Sequence, residues 1–148
     1  MDYQKYMDMA LEQAQIAYNS NEVPIGCVIV YNDRVIGKGA NLRITKGNVL
    51  AHAEIIAINE ACGFMGDWRL EDCTLFVTVE PCPMCAGAIL QARIKEVVFG
   101  TRNTKAGCAG SIYNLLQEDR FNHKAEITEG IRQEECAKLM KNFFKKFR

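Results

Sequence analysis

The sequence lacks an excess of either charge: 18 Lys and Arg balance 18 Asp and Glu. That excludes a wholesale polycation, so any binding of nucleic acid has to come from a local basic patch. Long hydrophobic runs are also missing. The apolar stretches are short, well under the ~20 residues that a membrane-spanning helix needs, so no membrane partner is expected. The start, Met1-Asp2-Tyr3-Gln4-Lys5, opens with an acid and has no apolar segment. It does not read as a signal peptide, and the expected compartment is the cytoplasm. There is no internal repeat, no low-complexity tract and no Pro/Gly/Ser-rich linker. A single domain over 1–148 is expected. With 49% hydrophobic and 24% charged residues, global disorder is excluded.

Cysteine is abundant: Cys27, Cys62, Cys73, Cys82, Cys85, Cys108 and Cys136. An odd number in a chain without an export signal argues against a disulfide framework. Clustered cysteines point to metal or catalysis. Scattered ones pack as small hydrophobes.

Helical spacing of Tyr3, Met7, Ala10, Leu11, Ala14, Ala17 and Tyr18 predicts a first helix near 3–18. A strand over 25–31, a turn at Asn32-Asp33 and a returning strand over 34–40 follow. A helix is expected from about Ala51 to Ala61, stopped by Gly63. A strand over 73–79 turns at Glu80-Pro81 into a helix over 83–92, where Pro83 suits the first helical position. The pattern continues with a strand over 96–99, a loop over 101–110, a short helix near 112–117 and a short strand near 125–128. A final amphipathic helix covers about 132–147, with Cys136, Leu139, Met140 and Phe143 on its apolar face. Trp68 reads as core or dimer interface. Strands alternating with helices predict an α/β fold with a mixed sheet.

Two fragments carry the chemistry: His52-Ala53-Glu54 and Pro81-Cys82-Pro83-Met84-Cys85. Each falls where a helix begins. The i, i+3 spacing of Cys82 and Cys85 puts both sulfurs on one side of a first helical turn. The positive end of the helix favours thiolates. With His52 as a nitrogen ligand, Cys₂His with one open position is a catalytic zinc pattern, because structural zinc sites close with four protein ligands. Glu54 reaches the site from the flank, as the base that deprotonates the bound water.

These motifs resemble those of bacterial tRNA-specific adenosine deaminases, in the cytidine-deaminase-like superfamily. The resemblance covers nearly the whole chain. It extends through Glu22-Val23-Pro24-Ile25-Gly26, Asn41, Thr78–Ala88, Val97–Gly100, Phe121-Asn122-His123 and the Phe143-Phe144 tail. The last two segments point to the tRNA branch. The resemblance implies a three-layer α/β/α sandwich around a five-stranded mixed sheet, assembled as a homodimer. It implies hydrolytic deamination of the wobble adenosine to inosine in the tRNA anticodon stem-loop, by a zinc-bound hydroxide with Glu54 as proton shuttle. One Zn²⁺ per chain would be held by His52, Cys82 and Cys85. Asn41 and the backbone at Ala53 would hold the flipped nucleotide. Arg43, Asn103, Lys105, Asn122, His123, Phe144 and Arg148 would contact the anticodon loop.

The family more often carries Asp at the position of Asn103, which bears on how strictly substrates lacking the 2′-OH are rejected. Two rival functions share some of these residues. One is a deaminase of a free base or nucleoside, such as guanine or cytosine. The other is a non-catalytic zinc-stabilised RNA-binding module, which requires a fourth ligand, Cys108 or His123.

Overall fold

A computed structural model describes residues 1–146; Arg148, one of the expected RNA contacts, lies outside the described residues. The elements in chain order are α1 (Tyr3–Asn19), β1 (Gly26–Tyr31), β2 (Arg34–Ala40), α2 (Ala53–Met65), β3 (Thr74–Val79), α3 (Pro83–Gln91), β4 (Glu96–Thr101), β5 (Glu126–Glu129) and α4 (Gln133–Lys145). The five strands form one sheet in the order β2-β1-β3-β4-β5. β1 runs antiparallel to both β2 and β3, while β3, β4 and β5 are parallel. This is the mixed sheet that the alternation of elements predicts.

Alternate strand residues feed two cores, as the two-residue period of a strand requires. Cys27, Ile29, Leu75, Val77, Val97 and Phe99 pack under α2 and α3, against Ala53, Ala57, Ala61, Ala86 and Ile89. Val28, Val30, Phe76 and Val98 face the other way, against Tyr6, Met7 and Ala10 of α1 and Cys136 of α4. Helices thus cover both faces, which makes three layers. Every residue of the central strand β3 is buried, so it reads as a continuous apolar run.

Several boundaries differ from expectation, each for a local reason. The turn residues Asn32 and Asp33 have φ of 50° and 55°, the left-handed pair that suits a tight hairpin. α2 runs past Gly63 to Met65 because Gly66, at φ 64°, is the left-handed cap whose N–H bonds Cys62 O. A glycine inside a helix is only a weak stop when a better C-cap follows three residues later. α2 also begins at Ala53, which leaves His52 outside the helix. Between Ile112 and Gln117 only a 3₁₀ turn forms, at Leu115–Gln117. Trp68 is not core: it is 54% exposed, with Arg69 and Arg93 over its ring.

Gly39 shows how tightly β2 lies under the start of α2. A Cβ there would stand 2.0 Å from Ala53 O. Gly39→Ala is expected to cost about 1–3 kcal/mol through overpacking, read as a lower urea midpoint. It is also expected to weaken metal binding, because the displaced backbone adjoins His52.

Candidate metal centre and its flanking loops

α2 and α3 start side by side, and each is preceded by a candidate ligand in extended conformation. His52 is the N-cap of α2 (φ −78°, ψ 152°) and Cys82 that of α3 (φ −74°, ψ 174°). Ser, Thr, Asp or Asn normally fills this position and bonds the first-turn N–H groups. Neither side chain makes such a cap bond here; both turn toward each other. His52 Nδ1 lies 3.7 Å from Cys82 Sγ and 3.6 Å from Cys85 Sγ. The three ligand atoms lie within 4.8 Å of one another. A tetrahedral zinc with ordinary Zn–N and Zn–S bonds would set each N···S separation at about 3.5 Å, so these residues fit the metal.

The thiols are differentiated before any metal binds. The Cys85 thiol donates to Cys82, and the N–H groups of Cys85 and Met84 and the nearby His52 add to this. Together they outweigh burial and bring Cys82 down to about 5. Cys85 is held up by the same contact and by burial. A thiolate is the metal-binding form, and Cys82 supplies it at neutral pH.

Glu54, in the first turn of α2, is only 4% exposed. Its carboxyl lies beside the Cys85 thiol and outside the three-ligand group. Burial pushes it up to about 7, with the negative Cys82 adding to the rise. A buried carboxyl near neutrality, next to a metal cradle, has the properties of a proton carrier. Glu54 approaches the cradle from the flank because it and His52 straddle the helix boundary. His52 lies on the extended side of the helix boundary and Glu54 inside the first turn.

Among the described residues no fourth side chain joins the group. Cys108 is buried next door, its N–H bonded to Pro81 O at 2.9 Å, but its sulfur reaches Ala106 O at 3.6 Å. His123 Nε2 pairs with Ile94 O at 2.7 Å. The closed structural site that a non-catalytic module requires is therefore absent from the described residues.

Two loops flank the cradle. Residues 41–52 connect β2 to His52, and residues 102–111 follow β4. Asn41 is buried at the base of the first loop. Its Nδ2 donates to Val23 O at 3.1 Å and its Oδ1 accepts from Arg43 N at 3.3 Å. Each amide atom retains one further hydrogen-bonding position. Arg43 is exposed, and Ala53 is fully buried where α2 begins. In the second loop Asn103 Oδ1 accepts from the N–H groups of Lys105 and Ala106, and Lys105 is exposed. Asn122 is exposed and His123 half-buried, beside Leu90 and Arg93 just beyond the C-terminal end of α3. That is about one helix length, roughly 13 Å, from the cradle at the other end of α3. Phe143 is buried and Phe144 is 47% exposed, edge-on to it at 5.3 Å. The Lys146 ammonium sits 3.9 Å from the Tyr18 ring centroid, so this tail cation is engaged with α1.

Sequence reasoning missed two buried acids. Glu80 is 2% exposed. It accepts from Asn103 N, Ala109 N, Ser111 N and the Ser111 hydroxyl. Glu22 is 1% exposed. It accepts from Ile44 N, Thr45 N and the Thr45 hydroxyl. Both fall in segments that carry the family resemblance, but apart from that their pattern, an acid at the edge of an apolar stretch, is common and unspecific. Burial alone would raise the Glu22 carboxyl. The Thr45 hydroxyl and the Thr45 and Ile44 amides overcome that and leave it below the usual range. A lowered folded-state pKa stabilises the protein above the ordinary glutamate value. That stabilisation is lost as pH falls through the lowered one, so acid unfolding of Glu22→Gln should be less steep than that of the native chain.

A mixed five-stranded sheet with a His-Cys-Cys group at two helix starts defines a deaminase of cytidine-deaminase-like fold. The family model of the MafB19-like deaminases matches residues 1–148. A tRNA-specific adenosine deaminase of Bacillus subtilis strain 168 is 50% identical over 143 residues, covering 97% of this chain and 89% of its own. One from Haemophilus influenzae is 44% identical over 146 residues, covering 98% and 84%. A structure from a study of A-to-I editing by tRNA:A34 deaminases superposes with a TM-score of 0.88. It is 37% identical and covers 91% of this chain and 98% of that one. A guanine deaminase from Bacillus subtilis is 38% identical with a TM-score of 0.67, over 75% of this chain and 71% of that one. The chain belongs to the MafB19-like deaminases, and within them to the tRNA-specific adenosine deaminases.

Proposed function

We propose that the chain converts the wobble adenosine of a tRNA anticodon loop to inosine, hydrolytically and with release of ammonia. The observation that carries this reading is the three-ligand cradle with the buried Glu54 carboxyl beside it. One Zn²⁺ on His52, Cys82 and Cys85 would act as the Lewis acid that makes water a nucleophile near neutral pH.

The protein groups do the rest. Glu54 takes the water proton, delivers it to N1 of adenine, and assists departure of the amino group as ammonia. Asn41 uses its remaining amide capacity, with the backbone at Ala53, to hold the nucleotide with C6 toward the cradle. A stacked base cannot reach this depth, so the adenosine is splayed out, as anticodon-loop bases readily are. Arg43, Asn103 and Lys105 on the two flanking loops meet the neighbouring nucleotides, and Phe144 and Arg148 meet them from the tail.

In this reading the whole of 1–148 acts as one deaminase domain, in the cytoplasm, as a homodimer. Exposed Trp68, Ile112, Tyr113 and Phe121 are the apolar surface that a second copy would cover. The distance of Asn122 and His123 from the cradle fits residues that act across such an interface. No helix among the described residues is long and apolar enough to cross a membrane.

The test is incubation of the zinc-loaded chain with a wobble-adenosine anticodon stem-loop, with free guanine as the competing substrate. Inosine in the RNA and no xanthine from guanine are the expected results; the reverse would replace the reading with that of a free-base deaminase. Asn103 also predicts weak, measurable deamination of a DNA version of the stem-loop. Asn103→Asp should reduce it, because the added charge opposes a backbone lacking 2′-OH partners.

A further inference from the structure

We propose that Glu22 is a positioning residue for substrate: its buried carboxylate holds the β2–α2 loop in the shape that presents Arg43 to the RNA. The inference rests on the reading of the site as an RNA deaminase.

All residues from Arg43 to Leu50 are exposed. Most hydrogen bonds in this stretch are internal. Lys46 N–H bonds Leu42 O, Asn48 N–H bonds Arg43 O, Gly47 N–H bonds Ile44 O, and Leu50 N–H bonds Asn48 Oδ1. The base is closed by Leu42 N–H to Ala51 O and by Asn41 to Ile25 O and Val23 O. Beyond that base, Glu22 ties the loop to the body of the protein. It bonds Ile44 N at 3.1 Å, Thr45 N at 2.6 Å and the Thr45 hydroxyl at 2.6 Å.

Water could satisfy two exposed amides and a hydroxyl without cost to stability. Burying an ionised carboxylate for them is expensive unless every bond is made. The arrangement therefore secures position. Ile44 and Thr45 directly follow Arg43, and the same loop delivers His52 to the cradle at its far end. Charge-assisted bonds are shorter and stronger than neutral ones, and three of them act on two consecutive residues.

Glu22→Ala should release the loop tip while leaving the base, and with it His52, in place. Glu22→Gln keeps one acceptor oxygen but turns an N–H toward donors, so it should fall between. The experiment compares steady-state deamination of the anticodon stem-loop, zinc content, and amide hydrogen exchange at Ile44 and Thr45. For Glu22→Ala the KM should rise about tenfold with kcat nearly unchanged, the signature of lost binding that is equal in ground and transition states. Glu22→Gln should rise about threefold, in the same direction and by the same cause. Zinc content should stay as in the native chain, and exchange at the two amides should quicken.

An unchanged KM together with rapid exchange would mean that the loop does not serve the RNA. Parallel loss of kcat and zinc would mean that Glu22 only supports the fold. If the native chain does not deaminate the stem-loop at all, the RNA-deaminase reading fails. Stem-loop binding by fluorescence anisotropy then decides the inference: equal affinity of native and Glu22→Ala chains overturns it.

Discussion

Glu54→Ala should fold, retain about one zinc per chain, and lose two to four orders of magnitude in deamination, the usual worth of a positioned proton carrier. The metal should stay because Glu54 lies outside the three-ligand group. The fold should stay because a buried carboxyl beside Cys85 is replaced by a smaller apolar side chain in a region that is otherwise alanine-rich. Turnover should fall because no other carboxylate among the described residues is placed beside the cradle in this way. Metal analysis, circular dichroism and single-turnover inosine formation separate the three effects. Retained turnover in a zinc-loaded Glu54→Ala chain would remove the proton-carrier role.

The second large effect is on stability. Glu80→Ala strands the N–H groups of Asn103, Ala109 and Ser111, which bond the carboxylate at 3.1, 2.9 and 3.0 Å. Ala109 N–H is buried and cannot turn to water. Leaving a buried donor without a partner costs about 1–3 kcal/mol; only the Ala109 bond is fully buried, so a loss of about 1–3 kcal/mol is expected. The urea midpoint should drop, and the 102–111 loop should become sensitive to protease. Gly107 packs so closely on the Glu80 carboxylate that a Cβ there would stand 2.4 Å from Cδ, so removing the carboxylate also removes the surface against which this part of the loop rests. Glu80→Gln should recover part of the loss, since one amide oxygen can still accept. An unchanged midpoint in Glu80→Ala would show that the loop is held by its own turns.

Both effects arise beside the motif that is easiest to find in the chain. His52, Cys82 and Cys85 are legible in the sequence because ligand chemistry restricts residue type and spacing together. Their placement at helix starts is legible too, from Pro83 and from the change of period between strand and helix. The sheet's five strands follow from the same patterning. What patterning misplaced were ends. Gly63 and Gly66 offer the same residue type, and only the backbone decides which adopts the left-handed turn. Trp68 reads from the sequence as core or dimer interface, and the structure excludes core, since its ring lies at the surface under two arginines.

The sequence by itself determined the α/β class and the two short motifs that carry the candidate ligands and the acid, because each motif lies within about one turn of chain. The tertiary structure alone decided that residues 30 apart meet within 3.7 Å, and that no fourth ligand joins them among the described residues. It also decided that Glu22 and Glu80, ordinary acids in the sequence, are buried anchors of the two loops around the cradle. The physical reason is that burial and hydrogen-bond partnership belong to pairs of distant segments. A carboxylate becomes an anchor only where the packed sheet excludes water and a returning loop brings its amides within reach.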